Sequence, residues 1–202
     1  MSYNPNIHHR RSIRLKGYDY SQAGLYFITI CCENRECRFG EIVENEMILN
    51  ECGMVANNEW VKLSDRFANF ELDVFQIMPN HMHGIIVLNN VGAGFTPAQN
   101  DGIVQNGNTQ NEIKNDDDIR AGASPAPTVS DIVGAYKSLV ANGCLDIWKS
   151  KWAGVNPAPT MGKLWQRNYH EHIIRNEQSY QTISNYIINN PTKWNEDKFY
   201  NQ

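Results

Sequence analysis

The chain has no apolar run approaching the roughly 20 residues that cross a bilayer. Its opening, Met1-Ser2-Tyr3-Asn4-Pro5-Asn6, lacks a charged segment followed by an apolar one, so a cytoplasmic protein with no membrane association is expected. Cysteine is scarce and unpatterned: Cys31, Cys32, Cys37, Cys52 and Cys144 are odd in number and contain no Cys-x-x-Cys pair. That argues against a disulfide framework and a thiolate zinc site, and leaves the five as reduced core and loop residues. An excess of positive charge is also lacking, since the net charge is −4, but the charge is unevenly spread. Residues 1–38 carry six Lys/Arg against three Asp/Glu, and residues 129–175 again six against three. Two basic segments meeting on one face would form a phosphate-binding surface.

What is present is enough for a core. With 202 residues, 41% hydrophobic and 10% aromatic, the chain can form one domain, or one domain with an insertion. Residues 89–128 turn to Gly, Asn, Gln, Asp, Ala and Pro, including Asp116-Asp117-Asp118. Such a composition cannot bury a core, and the segment is expected to be a flexible insertion.

On either side of it the patterns are regular. Leu25-Tyr26-Phe27-Ile28-Thr29-Ile30 predicts a strand over 24–32, with a hairpin over 39–49 and a helix over 50–63. Strands are expected at 70–78 and 81–88. Beyond the insertion, Thr128-Val129-Ser130-Asp131 opens a helix whose apolar residues follow at spacings of three and four, and Gly143 is expected to end or weaken it. Residues 164–175 read as a fourth main strand. A last helix runs from 176 towards Pro191. Without the insertion, strand, helix, strand, strand, helix, strand, helix is an α+β order, the split βαβ pattern. The ferredoxin-like antiparallel sheet is its commonest home, here with a C-terminal helix added.

The most informative run is Met78-Pro79-Asn80-His81-Met82-His83-Gly84-Ile85-Ile86-Val87-Leu88. Side chains alternate faces along a strand, so His81 and His83 point the same way and together can hold one divalent cation. On the last helix Tyr186 and Asn190, four residues apart, share a face, and in the expected sheet that helix lies near the histidine pair. His170 and His172 form a second His-x-His and are the chief rival metal site. Tyr186 also fits a plain core aromatic, given Tyr180, Ile183 and Ile187 beside it.

The triplet behind Met78-Pro79-Asn80, with Trp165-Gln166-Arg167-Asn168-Tyr169 and Tyr186-Ile187-Ile188-Asn189-Asn190-Pro191, resembles the single-tyrosine HUH transposases, specifically their REP-associated tyrosine transposase branch. The resemblance spans roughly residues 10–194 and leaves the insertion unmatched. It implies that His81 and His83 bind metal, that Tyr186 is the nucleophile attacking a DNA phosphodiester, and that Asn190 completes the metal site. It implies Mg²⁺ or Mn²⁺ as cofactor, a 5′-phosphotyrosine intermediate with a free 3′-OH, and a substrate of single-stranded DNA beside a hairpin. The acting species would be a monomer or a homodimer.

Arg10, Arg11, Arg14 and Lys16 form a basic N-terminal arm, and Lys137, Lys163, Arg167 and Arg175 lie in the second basic segment. Of these Arg11, Arg14, Lys137 and Arg167 are the expected phosphate contacts, and Trp165 could stack on an unpaired base. Two other classes fit part of the pattern. A non-catalytic, domesticated palindrome-binding module would keep the fold without a covalent intermediate. A metal-dependent hydrolase would use His81, His83 and a water nucleophile.

Overall fold

The computed structural model describes residues 22–89 and 126–200. The 89–128 insertion lies almost wholly outside the described residues, as do Arg10, Arg11, Arg14 and Lys16.

Three long antiparallel partners and one short one make the main sheet. The strands are β1 (Gly24–Cys31), β4 (Phe70–Met78), β5 (His81–Leu88) and β6 (His170–Ile174), in the order β4-β5-β1-β6. β1 pairs antiparallel with both β5 and β6, and β4 pairs antiparallel with β5. Numbered within the sheet, this is the order 2-3-1-4 of a ferredoxin-like fold, as the alternation of elements predicts. A separate hairpin, β2 (Gly40–Val43) and β3 (Glu46–Leu49), precedes α1 (Glu51–Val61), which is followed by the single turn α2 (Leu63–Arg66). The last two long helices are α3 (Val129–Lys151) and α4 (Glu177–Ile188).

Alternation divides the sheet between two tasks. Tyr26, Ile28 and Ile30 of β1 and Met82 and Ile86 of β5 are buried beneath α1 and α3, together with Trp60, Val133, Tyr136 and Val140. The Trp60 indole packs edge-on to Tyr136, with ring centroids 5.1 Å apart. It lies so close to β5 that a Cβ at Gly84 would sit 2.7 Å from its Cζ2. The other face carries α4 through Ile85, Ile174 and Ile187. α4 is seated by an irregularity in β4: the register shifts by one residue between Leu72 and Phe75, as a bulge does. Asp73, at that shift, accepts hydrogen bonds from its neighbour Val74 N (2.6 Å) and from Tyr180 Oη of α4 (3.1 Å).

Two expectations need correction. Gly143 does not end α3, which continues to Lys151. The glycine marks a close approach instead, since a Cβ there would lie 2.7 Å from Val55 Cγ1 of α1. Nor do residues 164–175 form one strand. Only His170–Ile174 does, while Trp165 makes an isolated bridge to Cys32. The backbone of the preceding stretch is occupied elsewhere: Glu33 N donates to Leu164 O (2.9 Å), and Lys137 Nζ to Gln166 O (2.7 Å) and Arg167 O (3.0 Å).

Candidate active site

The histidines begin β5, immediately after the Pro79-Asn80 turn, on the face that carries α4. The register places Gln76, His83, Thr29 and His170 in one row across the four strands. His81 and His83 are wholly buried, and their Nε2 atoms are 3.0 Å apart.

Hydrogen bonding orients each ring differently. Asn80 is buried, and its Nδ2 donates to two backbone carbonyls, Phe199 O (2.7 Å) and Arg35 O (3.1 Å). Its Oδ1 therefore faces His81 Nδ1 at 2.8 Å. An amide oxygen only accepts, so His81 carries its proton on Nδ1 and presents a lone pair at Nε2. His83 Nδ1 lies 2.8 Å from Thr29 Oγ1, a hydroxyl that can donate or accept. One imidazole is locked and the other can exchange tautomers. Such outer partners are what hold histidine ligands in a metal site. Burial, with Lys198 and Arg35 behind it, pulls the His81 imidazole down to about 3. Burial, reinforced by His81, also holds His83 well below its ordinary value, against the opposing pull of Asp197. Both rings are neutral ligands at neutral pH.

Tyr186 arrives from α4. Its Oη is 3.1 Å from His83 Nε2 and donates to Asp197 Oδ2, also at 3.1 Å. The residue is 38% exposed, so the hydroxyl reaches the histidines while one side of the ring stays open. The Phe27 ring packs edge-on to it, centroids 6.2 Å apart. Burial first, then the Asp197 charge, raises the phenol above its ordinary value. The resting side chain is protonated.

The chain after Pro191 closes the site. A 3-10 helix, Pro191–Glu196, turns it back so that Asp197 joins His81 and His83, with one ligand atom from each within 4.8 Å of the others. Among the described residues this is the single convergence of three or more His, Cys, Asp or Glu ligands. Asp197 Oδ1 accepts from Phe199 N (2.6 Å), and Oδ2 accepts from Asn190 Nδ2 (2.8 Å). The Phe199 ring packs against His81 at 4.6 Å. Asn190 is 2% exposed, and its Oδ1 has no hydrogen-bond partner among the described residues. Two neutral imidazoles, a carboxylate and an unpartnered buried amide oxygen fit a divalent cation.

Sequence reading thus finds four of the residues that the fold brings together: His81, His83, Tyr186 and Asn190. It misses Asp197, Asn80 and Thr29. The only signal for Asn80 was its place directly before the triplet; Asp197 had none, because it reaches the site through an irregular turn. Three of the expected DNA contacts, Lys137, Trp165 and Arg167, are neighbours, and Arg11 and Arg14 lie outside the described residues. Arg167 is exposed. Lys137 Nζ donates to two backbone carbonyls, and Trp165 is 8% exposed, with its Nε1 donating to Lys137 O (3.0 Å). Both stabilise the loop that follows α3. His170 and His172 are exposed on the edge strand and belong to no converging ligand group.

A ferredoxin-like sheet with a His-x-His strand and a tyrosine on the following C-terminal helix has the fold of a tyrosine transposase. It is similar to the solved structure of a REP-associated tyrosine transposase bound to a REP hairpin, with a TM-score of 0.53 and 19% identity, covering 92% of this chain and 76% of that one. The likeness shows the fold that the sequence resemblance to the REP-associated tyrosine transposases implies. The chain belongs to one family with an uncharacterized protein of Haemophilus influenzae, 40% identical over 200 residues, which are 98% of this chain and 97% of that one. No protein-family model matches the chain.

Proposed function

We propose that this chain is a single-tyrosine DNA endonuclease and strand transferase acting on single-stranded DNA beside a hairpin. The observation that carries the reading is the Tyr186 hydroxyl, 3.1 Å from His83 Nε2 and 3.1 Å from Asp197 Oδ2: a nucleophile, its base and a ligand pair at one point. The likeness to a hairpin-bound transposase supports the substrate class. The chain is read as one catalytic domain, with residues 89–128 as an insertion in it.

Tyr186 Oη attacks the scissile phosphorus as its proton passes to Asp197 Oδ2, the acceptor already in place. The new Oη–P bond forms as the P–O3′ bond breaks, and the departing 3′ oxygen takes up a proton to become a 3′-OH. The 5′-phosphotyrosine keeps the ester, so a second 3′-OH can attack it and release the phenol, rejoining strands with no nucleotide cofactor. His81, His83 and Asp197 are the residues that would hold Mg²⁺ or Mn²⁺, with Asn190 holding Asp197 and offering its amide oxygen. The ion would supply charge stabilisation at a nonbridging phosphate oxygen. Asn80 and Thr29 orient the two rings. Phe27, Trp194 and Phe199 line the site and limit water around them.

The test is covalent capture. Wild type and Tyr186→Phe are incubated with end-labelled single-stranded DNA carrying genomic palindromes, with Mn²⁺ or with EDTA. A denaturation-resistant adduct that needs both Mn²⁺ and Tyr186 is expected. Binding without any adduct would favour the palindrome-binding module, and cleavage retained by Tyr186→Phe would favour water attack.

A further inference from the structure

Cys37, Cys52 and Cys144 line one cavity of about 420 Å³ on the side of the sheet that carries α1 and α3. All are free thiols, and two of the three are in contact. Cys52 stands in the first turn of α1. Cys144 faces it from α3, with its Sγ 3.9 Å from Cys52 O and its thiol hydrogen-bonded to the Cys52 sulfur. Gly143, the residue before Cys144, allows the two helices to meet there: a Cβ on it would lie 2.7 Å from Val55 Cγ1, one turn along α1 from Cys52. Such an approach of two helix backbones is what a disulfide requires, since it holds its α-carbons within about 7 Å.

The two thiols are not equivalent. Cys144 is buried and donates the hydrogen bond to Cys52, and that bond together with burial keeps its proton in place. Cys52 is only part-buried and opens on the cavity. Accepting the bond from Cys144 pulls its ionisation below the ordinary thiol value, against burial and the Glu51 charge, and Arg38 acts in the same direction. Lys151 adds a second cation to the cavity wall. A thiol that is partly open and set among cations is the kind that attacks electrophiles as its thiolate. Burial instead pushes Cys31, Cys32 and Cys37 up.

We propose that Cys52 and Cys144 are a peroxide-reactive dithiol that closes to a disulfide between α1 and α3. The Cys52 thiolate attacks one oxygen of hydrogen peroxide; the O–O bond breaks, the leaving oxygen takes up a proton and departs as water, and Cys52 is left as the sulfenic acid. Cys144 Sγ then attacks that sulfur, the S–O bond breaks, and the hydroxyl leaves as water with the Cys144 proton. The two thiols together lose two electrons, and the peroxide is reduced to two waters. The bridge joins the chain on either side of residues 89–128 and is independent of the reading of Tyr186.

The test treats the whole chain, fully reduced, with hydrogen peroxide at neutral pH. Catalase ends the reaction, N-ethylmaleimide blocks the remaining thiols, and peptides are mapped without reduction. The expected results are the loss of two hydrogens from the intact mass, a linked peptide pair carrying Cys52 and Cys144, and recovery of both thiols with dithiothreitol. Cys144→Ser, without the second thiol, should hold a sulfenic acid at Cys52 that dimedone labels. Cys52 left reduced in wild type, a bridge from Cys52 to Cys37, or oxidation of Cys52 to the sulfinic acid with no bridge would each overturn the pair. No dimedone label at Cys52 in a Cys144→Ser chain with the circular dichroism of wild type would overturn Cys52 as the attacking thiol.

Discussion

Asn80 gives the sharpest test of how the site is held. It makes three hydrogen bonds, two of them buried: it donates to Arg35 O and Phe199 O and accepts from His81 Nδ1. At about 1 kcal/mol net for each, Asn80→Ala should destabilise the fold by about 3 kcal/mol. For a chain of this size that lowers Tm by roughly 6–12 °C. It also frees the His81 ring to turn or change tautomer, and loss of such an outer partner weakens metal binding by about 10–100-fold. Asn80→Asp separates the two effects. It keeps an oxygen for His81 Nδ1–H but turns a second oxygen towards two carbonyls, so stability falls at least as far while Mn²⁺ affinity is retained. Tm is read by calorimetry and affinity by titration calorimetry below the lower Tm. Unchanged Mn²⁺ affinity in Asn80→Ala, or an equal loss in both variants, would refute the orienting role.

Asp197→Asn removes the carboxylate that, in the proposed mechanism, ligates the ion and accepts the Tyr186 proton. Mn²⁺ affinity should fall at least about tenfold and adduct formation with it, while near-ultraviolet circular dichroism stays that of wild type. Gly84→Ala drives a methyl to 2.7 Å from the Trp60 ring, and thermal unfolding should show a loss of about 1–3 kcal/mol, the range for overpacked cores. Cys52 lines a separate cavity of about 420 Å³ with Cys144, Arg38 and Lys151. The neighbouring Cys144 thiol holds the Cys52 thiol below its ordinary value, against the effect of burial. Because the thiolate is the reactive form, Cys52 should be alkylated by iodoacetamide at neutral pH. Cys31, pushed up to about 11 by burial, should stay unreactive under the same conditions; peptide mass mapping distinguishes the two.

Much of this was legible in the sequence where local pattern and tertiary role coincide. Aromatic and β-branched runs located β1, β4 and β5, and the alternation of side chains along a strand put His81 and His83 on one face. Helical spacing set Tyr186 above Asn190. The failures fall where a residue's partner is distant in sequence. Lys137 and Trp165, singled out for basic and aromatic character, also fasten the loop before β6, a role that composition does not show. Asp197 lies past the proline that ends the last predicted helix, on an irregular turn with no period to read. Asn80 and Thr29 looked like a turn residue and a strand residue. Their hydrogen bonds to the histidines appear only once β1 and β5 are paired and residues 197–199 have folded back.

β1 holds the centre of the sheet, with Phe27, Thr29 and Cys31 on the tyrosine side and Tyr26, Ile28 and Ile30 in the core. Its pairing with β5 and β6 therefore proofreads itself. A slip of one residue would send three core side chains to the tyrosine side and draw a hydroxyl into the packed layer, so a misaligned chain forfeits the core and the histidine–tyrosine cluster together. Drift along this strand can accumulate as replacements but not as single-residue insertions or deletions, because the two sides of the strand share one frame.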